Sequence, residues 1–319
     1  MSKYVLGMML SVHTALVFAQ ALPVTDRWLD RIYQATQKLS YTGTFVYQQG
    51  ERTETSRITR LSDSGGGIEK LEALDGTPRE IVRTRDEVRC YLPESRTVKI
   101  DKRGDRRGFP GLLPEQRAKL SEHYAAALGR LQRAAGFDCQ EVVLTPRDIL
   151  RYGYRLCADV KTGMLLKATV VDEAGAIAER FTFTQWTLGG VTPAQLKSRF
   201  ATSTWRIEDA SATVANMTQA GWMFSVDLPG FEKVAEVTRK LGDAHPVGQV
   251  VFSDGLAAVS VFLEPAQAQG GRVEAGLAKM GAVHIYTREI GAQVITAVGE
   301  VPAASVRRIA HAIEFRAPR

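Results

Sequence analysis

The chain has 319 residues, 45% hydrophobic and 24% charged, with a formal net charge of +6. That length suggests roughly two domains of ~150 residues, each able to bury its own core, and the composition is that of a soluble globular protein. Beyond the amino-terminal segment no run approaches ~18 consecutive apolar residues, which excludes a body built of membrane-spanning helices.

The first residues read as a secretory signal peptide. Lys3 is a short positive region, Tyr4 to Phe18 is mostly apolar though interrupted by His13, and Ala19-Gln20-Ala21 is a small-x-small cleavage site. Cleavage is expected after Ala21, so residues 1–21 are set apart from the fold. No cysteine lies near that site to carry a lipid. Loss of Lys3 leaves +5, a mild excess that suits an anionic surface, an acidic partner or an ordinary solvated exterior.

Thr25-Asp26 is expected to cap a helix running to about Leu39, with Trp28, Leu29, Ile32 and Tyr33 at helical spacing. The stretch SYTGTFVYQQG then alternates, placing Tyr41, Gly43, Phe45 and Tyr47 on one side of a strand. Further strands are predicted near 53–61, 68–74, 79–84, 87–92 and 96–101, a series that suggests an antiparallel sheet that curls. Residues 102–114 read as an irregular loop. By propensity alone 115–135 is helical, although Gly129 and Gly136 weaken it. Strands resume at 139–145, 151–158, 164–172 and 178–187, where Phe181 and Phe183 share a face and Trp186 lies on the other. Alternation is lost over 188–216. The expected division is a β domain over 22–190, a linker over 191–216, and a smaller α+β domain over 217–319. That last unit has strands near 222–227, 233–240, 247–253, 256–263, 282–287 and 291–298. Pro302 opens a closing helix on which Val306, Ile309 and Ile313 share a face.

Cys90, Cys139 and Cys157 are an odd number for an exported chain, so at most one internal bridge forms. Cys139 and Cys157 flank a predicted hairpin turning near Pro146–Asp148 and would face each other across it, within reach of a bridge given some twist. Cys90 is the alternative partner, or a free thiol.

Catalytic signatures are missing. Lys161-Thr162-Gly163 has no S-x-x-K companion and reads as a turn, and there is no G-x-S-x-G, H-E-x-x-H, P-loop or G-x-G-x-x-G. His123, His245, His284 and His311 lack metal-ligand spacing. A binding protein is expected, not an enzyme, with no metal and no cofactor. Two features suit binding. Lys102, Arg103, Arg106 and Arg107 run into Phe109, Leu112 and Leu113, which fits an anionic amphiphile, with a solvated loop as the plainer reading. Phe45, Tyr47, Phe181, Phe183 and Trp186 add bulky apolar surface that core packing explains equally well.

Residues 144–186, LTPRDILRYGYRLCADVKTGMLLKATVVDEAGAIAERFTFTQW, strongly resemble the periplasmic sigma-E regulatory proteins of the RseB/MucB family. The resemblance continues in YTGTFVY near the start, FSDGLAAVSVFLEP at 252–265 and VGEVP at 298–302, and covers essentially the whole mature chain in order. It implies a mainly β, α+β architecture: an amino-terminal LolA-like half-open antiparallel β-barrel with helices, followed by a smaller α+β domain. It also implies strand through much of 124–135, against the propensity reading, with helix only just after Pro114.

The implied role is regulatory: binding the periplasmic part of an RseA/MucA-type membrane anti-sigma factor and shielding it from site-1 proteolysis until lipopolysaccharide or lipoprotein acyl chains release it. On that basis Phe45, Tyr47, Phe181 and Phe183 are lipid-pocket candidates, with Arg103, Arg106 and Arg107 at the rim for phosphate. Trp222, Phe231, Leu256, Val259 and Val261 are partner-binding candidates. Nucleic acid is not an expected partner, and a homo-oligomer is left open. The alternative role is a periplasmic lipid or lipoprotein carrier of the LolA type.

Overall fold

The computed structural model describes residues 23–63, 67–102, 120–240, 246–266 and 274–316. The expected signal peptide and the loop bearing Arg103, Arg106 and Arg107 lie outside the described residues. Helix α1, Val24–Lys38, buries Leu29, Ile32 and Ala35. It begins at Pro23 rather than at a Thr25-Asp26 cap: no side chain caps it, and Arg27 N–H donates to the Pro23 carbonyl at 3.1 Å. Asp26 sits in the first turn, where a carboxylate meets the positive end of the helix dipole.

The strands of the first sheet are β1 (Tyr41–Gln49), β2 (Arg52–Leu61), β3 (Ile68–Ala73), β4 (Glu80–Arg83), β5 (Val88–Leu92), β6 (Thr97–Asp101), β7 (Tyr124–Ala134), β8 (Phe137–Pro146), β9 (Gly153–Asp159), β10 (Leu165–Val171), β11 (Ile177–Leu188) and β12 (Arg206–Asp209). They form one twelve-stranded sheet in the order β12-β6-β5-β4-β3-β2-β1-β11-β10-β9-β8-β7. The two end strands do not pair with each other, so the sheet stays an unclosed, half-open barrel. Every neighbouring pair is antiparallel except β12 with β6. That parallel edge strand comes from the stretch expected as linker, which also holds a 3₁₀ turn at Pro193–Leu196.

Propensity fails at 115–135. Among the described residues only Leu120–His123 is helical (α2), and β7 follows at once. Pairing with β8 overrides the helix-forming alanines and leucines of this stretch, as tertiary context commonly does.

A second correction concerns Trp186. Thr44 pairs with Gln185 and Phe45 with Phe183, so Thr184 is an extra residue on β11. A β-bulge resets the alternation, and Trp186 joins Phe181 and Phe183 in one buried cluster instead of lying opposite.

Cys139 and Cys157 are bridged, with Cα atoms 5.4 Å apart, and Cys90 is a free thiol. The bridge is diagonal rather than face-to-face: Cys157 opposes Glu141, and Cys139 opposes Asp159. The connection spans 147–152, longer than the predicted turn.

The second sheet contains β13 (Thr213–Val214), β15 (Glu232–Lys240), β16 (Pro246–Ser253), β17 (Ala258–Pro265), β18 (Gly276–Met280), β19 (Val283–Ile290) and β20 (Gln293–Gly299), ordered β13-β15-β16-β17-β20-β19-β18. β14 (Trp222–Phe224) pairs separately with β21 (Ile313–Phe315). Helix α3, Ala303–His311, lays Val306 and Ile309 into this core; Ile313, just beyond its end, is buried in the same cluster.

Candidate functional site

The aromatic face of β1 is largely core. Phe45 lies 4.7 Å from Phe181, Phe181 lies 5.1 Å from Phe183, and Tyr41 meets Phe183 edge-on at 6.2 Å between ring centroids. Gly43 makes room for this packing, since a Cβ there would stand 2.5 Å from the Phe183 ring. Phe181 and Phe183 are 8% and 2% exposed, so of these four candidates Phe45 and Tyr47, both half-buried, offer surface.

Tyr47 leads to an acidic cluster. Its hydroxyl pKa is pushed up by burial first, then by Glu179 and Glu300. Glu179, itself buried, is raised to about 8 by burial and by the facing Glu300. Glu300 lies in the turn after β20, so this acidic contact brings β11 of the first sheet against the second unit.

A buried seam joins the two sheets nearby. Arg151, fully buried, donates from Nη1 to Asp254 Oδ2 at 2.9 Å and from Nε to Asp148 Oδ1 at 3.1 Å, and Nη2 donates to the Pro229 carbonyl. Its guanidinium lies 5.3 Å from the Phe231 ring centroid and 5.6 Å from that of Tyr124. Tyr124 adds a hydroxyl donor to Asp254 Oδ2 at 2.9 Å. Burial, with the Asp254 charge next, pushes the Tyr124 pKa well up, so the hydroxyl stays a donor. Asp254 Oδ1 accepts from the amides of Leu256 and Ala257. Ser305 Oγ of α3 donates to the Leu150 carbonyl, and Tyr152 Oη is 3.3 Å from His284 Nδ1. Apolar residues cross as well: Leu150 belongs to the second core, while Leu256 packs against the first.

The partner-binding residues expected from sequence fall otherwise. Trp222, Phe231, Val259 and Val261 lie in the second core, the two valines fully buried. Leu256 alone is half-buried, and it lines the seam. The seam's polar members, Arg151, Asp254, Tyr124 and Ser305, were not picked out by periodicity, which registers apolar residues. Their signal in sequence was the family likeness of the RDILRYG and SDGL runs that carry Arg151 and Asp254. Among the described residues no group of three or more His, Cys, Asp or Glu is arranged to hold a metal ion.

Residues 25–203 match the model of the MucB/RseB N-terminal domain, and residues 216–314 that of the MucB/RseB C-terminal domain. The chain is 30% identical over 300 residues to the sigma factor AlgU regulatory protein MucB of Pseudomonas aeruginosa, covering 92% of each. It is 24% identical over 304 residues to the sigma-E factor regulatory protein RseB of Escherichia coli K12, covering 94% of this chain and 93% of the relative. Among solved structures it resembles MucB in complex with MucA(peri), at TM-score 0.71 and 28% identity over 92% of this chain and all of that one. MucB alone gives TM-score 0.68, again at 28% identity, with 92% and 98% coverage.

Proposed function

The chain belongs to the MucB/RseB family of sigma factor regulatory proteins, and from that premise we propose that it is a periplasmic brake on a sigma-E-type envelope-stress response. It holds the periplasmic part of a membrane anti-sigma factor, shields it from site-1 proteolysis, and lets go when a lipid or lipoprotein signal arrives. The observation that carries this reading is the collinear match of both domains to a relative solved in complex with MucA(peri).

The seam gives the reading a physical form. Release requires that the signal bind a conformation unable to hold the partner, and the shift is bounded by the difference in affinity between the two conformations. On this reading the seam, crossed by buried polar contacts and by Leu150 and Leu256, is the element whose arrangement the partner and the signal bias in opposite directions. The first sheet carries the half-buried Phe45 and Tyr47 for acyl chains, and the second unit acts as the grip.

A protection assay tests the proposal. The periplasmic segment of the host's anti-sigma factor is incubated with its site-1 protease, with and without the mature chain. Slower cleavage in its presence supports the shield; unchanged cleavage sinks it.

A further inference from the structure

On β9, β10 and β11, the sheet face opposite the Phe181 ring carries a concentration of positive charge. Arg155 of β9 and Arg180 of β11 both pair with Thr169 of β10, so two guanidinium stems flank one buried threonine. Adjacent strands are ~4.8 Å apart, which sets the two arginine backbones about 10 Å from each other, with Arg155 exposed and Arg180 half-buried. Lys167, two residues along β10, points to the same face between Cys157 and Thr182. The three cations, with Thr169, Gln132 and Glu141, border a hollow of about 230 Å³.

Charge there is unbalanced. Glu141 is the one carboxylate lining the hollow against three cations. None of Arg155, Lys167 and Arg180 has an ion-pair partner among the described residues, although this protein pairs many of its other arginines. Arg180 Nε is buried with no hydrogen-bond partner, and so is the Thr182 hydroxyl opposite Lys167. Unpaired buried donors cost free energy, and like charges bordering one hollow repel one another. An oxyanion removes both costs at once. Cys157 also lines the hollow, and its bridge to Cys139 ties the strand bearing Arg155 to the strand bearing Glu141.

We propose that this hollow is a binding site for a phosphate group, gripped by the Arg155 and Arg180 forks, with Lys167 and the Thr169 hydroxyl completing the donor set. Two planar forks and an ammonium match a tetrahedral dianion better than a single carboxylate. The site is distinct from the aromatic face and stands whether or not the regulatory reading holds. The phosphate belongs either to a soluble ester or to a lipid headgroup, and the hollow's chemistry is the same for both.

The test uses the mature chain and three probes: inorganic phosphate, glucose 1-phosphate, and phosphatidylcholine vesicles containing phosphatidic acid. Binding is read by calorimetry and by vesicle co-sedimentation, against a chloride background. Saturable binding of at least one probe is expected, and Arg155→Gln with Arg180→Gln lowers its affinity roughly a hundredfold, since two charge-assisted contacts are lost. A thermal melt in chloride shows whether that double variant stays folded, and Lys167→Gln provides an independent weakening if it does not. Binding of the soluble probes assigns a phosphate ester, and binding of the vesicles alone assigns a headgroup. No binding of any probe, or binding that all the variants retain at full strength, overturns the proposal.

Discussion

Arg151 Nη1 and Asp254 Oδ2 sit 2.9 Å apart with neither side chain exposed, one anchored to the first sheet and the other to the second. A charge pair removed from water in this way is held by its surroundings as much as by mutual attraction. Here Asp148, the Pro229 carbonyl, Tyr124 and the amides of Leu256 and Ala257 supply those surroundings.

Breaking one side of that pair is therefore expected to be severe. Asp254→Asn leaves the buried Arg151 charge with only the partly exposed Asp148 as counter-charge and destabilises the protein by about 3 kcal/mol, measured by urea unfolding. Arg151→Met combined with Asp254→Leu recovers part of the loss, because neither buried charge remains, although the Tyr124 hydroxyl and the Leu256 and Ala257 amides lose their acceptor. If the double variant is as unstable as the single one, packing rather than charge holds the seam.

Glu179 makes stability depend on pH in a predictable sense. Its folded pKa of about 8 lies above the ordinary value of 4.5. The folded state therefore keeps a proton that the unfolded chain gives up, and stability falls as pH rises through this window. Glu179→Gln is expected to flatten the slope of unfolding free energy between about pH 5 and 8 and to raise stability at the alkaline end. An unaltered slope in the variant would place the titration elsewhere.

The bridge between Cys139 and Cys157 closes a loop of sequence separation 18. A closure of that size restricts the unfolded chain by about 3 kcal/mol in the chain-entropy account. Cys139→Ser with Cys157→Ser should lose stability of that order, whereas Cys90→Ser should leave the oxidised protein nearly unchanged. Peptide mapping without reductant checks the pairing itself, and a fragment joining Cys90 to either partner would contradict it.

Gly43 tests how tightly the aromatic cluster is packed. Its missing Cβ would stand 2.5 Å from Phe183 Cε1 and 2.9 Å from the Gln185 carbonyl. Gly43→Val is expected to cost at least ~1–3 kcal/mol by overpacking, seen as a lower melting temperature. The same change with Phe183→Leu should be milder than the two single losses added together, because they share one contact.

Alternation and turn residues located most of the strands in the first sheet, because pairs such as Phe45 with Phe183 and Tyr47 with Phe181 repeat at the two-residue period that a half-buried strand requires. The same reasoning misplaced Trp186, since the single extra residue at Thr184 is invisible to periodicity. β12, β13 and β18 were missed for a related reason. β12 is a four-residue edge strand and β13 a two-residue one, and every residue of β18 is exposed, so no buried face marks them. The seam was present in plain view, in RDILRYG and SDGL, but as a family likeness; only the fold brings Arg151 to Asp254 across 103 residues.

The most direct measurement is a calorimetric titration of residues 22–319 with the periplasmic segment of the host's anti-sigma factor, repeated with lipopolysaccharide fragments present. The account predicts saturable binding that weakens when the lipid is added. Absence of binding in either condition would contradict it.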